Sequence, residues 1–159
     1  MPHKVSPMKW NATPVATLPG VKLGYEWEDG EGNVFAIVKF TTTVTAGHMC
    51  THGNTSNQVG NDISEGAGAK AAAGIATVAV TVANYYGVIQ KKGLNKTAMV
   101  NSATDTIDEG EHIFPDGDGT VTSADAAAEE YNACGTYIAS AQVATSGAIP
   151  VSTVRLNCN

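Results

Sequence analysis

A chain of 159 residues and 16.3 kDa fits one compact domain, or one domain with an arm, and two separate full cores are not expected. Val (16) and Ile (8) far outnumber Leu (4), and only 15% of residues are charged, which argues against a helix bundle and against disorder throughout. The net charge of −6 argues against a partner such as nucleic acid. No run of ~18 apolar residues suits a membrane, and Met1-Pro2-His3-Lys4 opens no apolar signal segment.

Residues 1–23 contain Pro2, Pro7, Pro14 and Pro19, and proline cannot donate to a sheet ladder, so an extended N-terminal arm is expected there. Val5, Trp10, Val15 and Leu18 give this arm apolar anchors and make it the first candidate for a partner interface. Two placements stay open: on its own domain, or on a neighbouring subunit. Residues 24–159 form the β-rich remainder.

Glu28-Asp29-Gly30-Glu31-Gly32-Asn33 reads as a turn, with Glu26 and Trp27 on its near side and the strand Val34-Phe35-Ala36-Ile37-Val38-Lys39-Phe40 beyond. The β-branched run continues through residues 41–45 until Ala46-Gly47 breaks it. Residues 51–74 are rich in Gly, Asn and Ser and read as a loop with one possible helical turn in the alanines. A strand is expected over 75–82, where Val78, Val80 and Val82 share a face. Another covers 85–90, closed by Lys91-Lys92-Gly93. Further strands are expected over 97–100, at Ile113, over 120–122, over 136–139 and over 153–158, where Val154, Leu156 and Cys158 alternate with Thr153, Arg155 and Asn157. One short helix is expected over 124–131, capped by Ser123. Short strands with Gly-rich turns indicate a mainly β fold, a small β-sandwich or barrel.

The cysteines Cys50, Cys134 and Cys158 form an odd set in a chain without a secretion signal, which points to a reducing compartment and buried thiols. Cys134 and Cys158 would face each other if their strands pair. His48, Cys50 and His52 would share a strand face and carry zinc- or copper-ligand chemistry, but a fourth ligand is missing locally. Asp116 and Asp118 imitate part of a calcium loop, yet Phe114 occupies the first ligand position and a β-turn explains the same letters. Gly66-Ala67-Gly68-Ala69-Lys70-Ala71 follows no apolar strand, so a nucleotide-binding turn is not supported. No Gly-x-Ser-x-Gly occurs, and the adjacent carboxylates Asp108-Glu109 and Glu129-Glu130 do not converge. The sequons at Asn11, Asn54 and Asn95 would matter only in a secretory pathway. No catalytic residue and no cofactor are expected, and the chain reads as a non-enzyme.

The order of pieces carries a resemblance. Leu23-Gly24 is followed by Glu28-Asp29-Gly30, the strand at 34–40, Thr45-Ala46-Gly47-His48-Met49 and Tyr85-Tyr86-Gly87-Val88-Ile89-Gln90 with Gly93. Glu109-Gly110-Glu111-His112-Ile113, Asp118-Gly119-Thr120-Val121 and Cys134-Gly135-Thr136-Tyr137-Ile138-Ala139 complete the run. Over about residues 23–158 this resembles the capsid decoration (cement, head-stabilising) proteins of tailed bacteriophages. The 51–74 loop and the proline-rich arm depart from that pattern. The resemblance implies a structural virion protein on the outer capsid surface, assembled in the host cytoplasm, bridging major capsid protein subunits and often a homotrimer. Within that reading the arm, anchored by Trp10, is expected to make one contact, and the outer side of residues 85–90 another. A virion-fibre or surface carbohydrate- or receptor-binding β-sandwich is the first alternative, and a small metal-binding protein the second.

Overall fold

The computed structural model describes residues 13–18, 20–53, 55–60, 71–100, 107–115, 119–123, 133–139 and 151–158. Its first element pair is built by a turn. Asp29 Oδ1 accepts the backbone N–H groups of Glu31 (2.8 Å) and Asn33 (3.0 Å). The chain therefore reverses between β1 (Glu26–Glu28) and β2 (Val34–Phe40), which pair antiparallel with Trp27 opposite Phe35. Side chains alternate along β2, so Ala36, Val38 and Phe40 point to one buried face.

β3 (Met49–His52), β4 (Gln58–Gly60), β5 (Ala72–Ala76) and the long β6 (Tyr86–Met99) follow. β4 runs parallel to β2 and antiparallel to β3, β3 pairs with β5, and β5 with β6. The first half of β6 then returns to β2, so β2–β4–β3–β5–β6 closes into a barrel. Phe40, Val44, Val59, Val80 and Ile89 fill it, with Val44 and Val80 bridged to each other by backbone hydrogen bonds of 3.0 and 2.8 Å.

The second half of β6 begins another ring. It pairs with β10 (Val151–Asn157), which pairs with β9 (Gly135–Tyr137), then β7 (His112–Pro115) and β8 (Val121–Ser123). A parallel bridge from Val121 to Val100, just past the end of β6, closes this ring. Ile107, Ile113, Val121, Tyr137, Val154 and Leu156 fill its core, together with Met49 and Ile75 from the first barrel. The chain is thus mainly β, with two cores where composition suggested one. Sharing the wall makes this possible: Cys50, Ala73 and Ala76 face the first core while Met49, Ala72 and Ile75 face the second.

That shared wall corrects several expectations. Ala72 and Ala73 are fully within a strand, not a loop or helical turn, because small side chains let two cores meet at β5. A Cβ at Gly74 would lie 2.5 Å from the Gln90 carbonyl oxygen, which shows how close the backbones come. The strand expected over 75–82 ends at Ala76. Only Val80 of its alternating valines is buried, through its bridge to Val44, while Val82 is exposed. β2 ends at Phe40, where a bend replaces the expected continuation through 41–45. Lys91-Lys92-Gly93 does not close a strand, since β6 runs through it and absorbs the separate strand expected at 97–100. The helix expected over 124–131 lies outside the described residues.

The described part of the N-terminal segment is fastened to the first barrel. Val15 and Tyr86 exchange backbone hydrogen bonds of 3.0 and 2.9 Å on the edge of β6 facing away from β2. Gly24 and Tyr25 bond Ile37 (2.8 and 3.0 Å) on the opposite edge of β2. The described residues 16–18 and 20–23 therefore run between these two edges as a strap. Ile37 and Val88, paired with each other, are buried although their side chains point away from the barrel interior.

Candidate interaction surfaces

Where β6 passes from one barrel to the other, its ladder slips and leaves polar groups to be satisfied. Asn33 supplies them. Its Oδ1 accepts the Leu94 N–H (2.9 Å) and the Gln90 side-chain amide (3.4 Å), and its Nδ2 donates to Asp29 Oδ2 (2.8 Å). Gln90 Nε2 also donates to the carbonyls of Lys92 and Leu94 (both 3.1 Å), and Gln90 Oε1 accepts from Asn95 Nδ2 (2.9 Å). These amides are buried, so the seam is a built polar joint. Mild burial acts to raise the Asp29 pKa, but the hydrogen bonds from Asn33 and Glu31 outweigh it and hold the carboxyl below its usual range.

Outside this joint lies an open cleft of about 610 Å³. Its walls include Glu31, Leu94, Thr136 and Arg155, and Gly93 and Gly135 expose backbone beside them. Leu94 is 41% exposed and sits opposite Arg155 in the β6–β10 register, so an apolar contact and a cation stand side by side.

A second surface lies on the hairpin. Tyr25 stacks on Trp27 (centroids 6.2 Å, planes 20° apart), and Trp27 stacks on Phe35 (5.6 Å, 22°). Tyr25 is 45% exposed, and Trp27 and Phe35 are half-buried. Exposed Glu28 and Glu31 flank the ladder, while Glu26 is paired with Lys91. The sequence reading missed this ladder although its signal was present: residues 27 and 35 are equidistant from the turn centre, which sets them opposite each other. The cleft had no local signal, because its lining comes from strands scattered between residues 31 and 157.

Of the residues expected at a partner interface, Val5 and Trp10 lie outside the described residues. Val15 and Leu18 are half-buried, with Val15 bridged to β6 of its own chain. The outer side of residues 85–90 is a poor contact surface: Tyr85 and Tyr86 are half-buried and the next four residues are buried.

Among the metal candidates, Cys50 is fully buried in the first core, where its Sγ lies 3.7 Å from the His48 carbonyl oxygen. Burial pushes its thiol up to about 12, so the free thiol keeps its proton at neutral pH. His48 and His52 are half-buried, and Asp116 and Asp118 lie outside the described residues. Among the described residues no three His, Cys, Asp or Glu side chains are grouped closely enough to hold a metal ion.

Cys134 and Cys158 do come together, in the second core, as free thiols. Cys134 Sγ donates to the Ile113 carbonyl (3.2 Å) and Cys158 Sγ to the Cys134 carbonyl (3.6 Å). The Cys158 thiol and burial together raise the Cys134 pKa well above its ordinary value. The sequon residue Asn95 is buried in the joint, and Asn11 and Asn54 are outside the described residues. No helix among the described residues is long and apolar enough to cross a membrane. No protein-family model and no curated protein matches the chain.

Proposed function

We propose that this protein is a structural virion component that binds the outside of an icosahedral phage capsid, bridging major capsid protein subunits and stabilising the shell. The observation that carries this reading is the open cleft over the joint between the two barrels, where exposed Leu94 and Arg155 share the lining with Glu31 and the backbone of Gly93 and Gly135. Such a mixture of apolar, charged and backbone groups suits an extended loop of another protein. A standard contact covers ~800 Å² per partner. Repetition around a shell adds avidity, because each neighbour already held raises the local concentration of the next. The work asked of the molecule is mechanical closure of seams, with no bond made or broken and no cofactor.

The test is co-sedimentation with empty capsids after chemical removal of tails. The wild-type chain is expected to pellet with the capsids, and Leu94→Asp or Arg155→Glu to release it while leaving the unfolding midpoint unchanged. Recovery only with tails, or binding to a host polysaccharide in place of capsids, would overturn this reading in favour of the fibre or receptor-binding alternative.

A further inference from the structure

The aromatic ladder lies on the outermost strand of the described sheet. β1 pairs with β2 on one side and is the end strand of the order. Along it, Trp27 points to the ladder face and Glu26 and Glu28 to the other, so the edge offers alternating charge, aromatic, charge. The sequence contains a segment with the matching alternation. Met8-Lys9-Trp10-Asn11-Ala12 is free of proline between Pro7 and Pro14. As a strand it places Met8, Trp10 and Ala12 on one face and Lys9 on the other. Its charge is also complementary: the chain before Glu26 contains Lys4, Lys9 and Lys22 and no acidic residue, whereas Glu28 and Glu31 stand exposed beside the ladder.

We propose that residues 8–12 of a second copy of this chain add as a strand to the edge of β1, with Trp10 against the Tyr25–Trp27–Phe35 ladder and Lys9 against Glu28. Main-chain hydrogen bonds supply attraction along the edge, and alternate side chains set the register. The donor is a second copy because of how the chain leaves its own barrel. Val15 is bonded to the edge of β6 that faces away from β2, antiparallel to it. Retraced from there, Pro14 and Thr13 leave on the far side of β6, and the described strap residues 16–18 and 20–23 lie between that exit and β1. Only Thr13 and Pro14 separate residue 12 from the bonded Val15, so residues 8–12, about 17 Å when extended, meet a copy that adjoins this edge of β6. This inference stands independently of the capsid-binding reading, since it concerns self-association alone.

Sedimentation velocity of the full chain across a concentration series tests it. Association is expected to rise with concentration and to weaken with salt, which screens the Lys9–Glu28 pair. Trp10→Ala and Lys9→Glu are each expected to weaken it by about tenfold or more, as removal of an anchor at the centre of a contact does. Glu28→Lys should do the same, and mixing Lys9→Glu chains with Glu28→Lys chains should restore association, because only the mixture reunites opposite charges. Glu28 is exposed, and unchanged far-UV circular dichroism checks that each variant folds. Association indifferent to Trp10→Ala and Lys9→Glu would overturn the proposal. So would a chain that stays monomeric at every concentration, including one whose Trp10 is shielded from a soluble quencher independently of concentration, which would put the arm on its own body.

Discussion

Gly93→Ala is the sharpest probe of the joint between the barrels. Gly93 adopts φ = +95°, a conformation L side chains rarely take. A Cβ there would overlap Asn33 Oδ1 and stand 2.8 Å from the Asn33 Cα, so backbone as well as side chain is in the way. The left-handed conformation costs a non-glycine residue about 1–2 kcal/mol. Moving the Asn33 amide strips acceptors from the Leu94 N–H and the Gln90 side chain, and an unsatisfied buried group costs about 1–3 kcal/mol. The sum, roughly 2–5 kcal/mol, is a large share of the 5–15 kcal/mol that holds a typical domain folded. Urea unfolding followed by circular dichroism measures it. Asn33→Ala is the control: it loses the hydrogen bonds but adds no strain, so it should cost about 1–3 kcal/mol. In the double variant the Oδ1 overlap disappears while the clash with the backbone of residue 33 stays, so the combined loss should fall short of the two single losses added together. A Gly93→Ala protein within about 0.5 kcal/mol of wild type, or strict additivity with Asn33→Ala, would refute the account of the joint.

Phe40 is fully buried inside the first barrel, and Phe40→Ala should cost about 3–5 kcal/mol in the same urea assay; a loss under 1 kcal/mol would mean the barrel interior is not packed around it. Cys50 holds its proton more firmly in the fold than in the unfolded chain, with a pKa of about 12 against an ordinary 9.0. Its contribution to stability is therefore complete below pH 9 and declines as pH rises toward 12, at up to about 1.4 kcal/mol per pH unit. Cys50→Ala should flatten the fall in stability between about pH 8 and about pH 11, and equal slopes for the two proteins would refute it.

Where side-chain pattern and local turn chemistry coincide, the fold was readable in advance. The hairpin of β1 and β2 is one such case, with Asp29 and Asn33 closing a recognisable turn, and β10 is another, with Val154, Leu156 and the adjoining Cys158 turned inward as alternation requires. β5 was not readable, because alanine and glycine are weak strand formers and their reason for being there is a second core on the far side. The length of β6 was hidden for a related reason. Lys91-Lys92-Gly93 looks like a stop, and the group that turns it into a joint, the Asn33 amide, comes from a turn some sixty residues earlier. The ladder followed from hairpin register alone. The cleft did not, since it exists only once the strands of the two barrels are side by side.

β6 belongs to two closed ladders at once, and this governs how the molecule bears a pull. Tugging at the strap or at the final strand loads the same central filament, because the strap is bonded to its beginning and the last strand is zipped along its second half. Each ring holds one half of β6, and the halves meet at Lys92, which is paired with Val34 in one ladder and with Asn157 in the other. Tension is therefore shared across both ladders, and rupture of one would unseat a wall of the other.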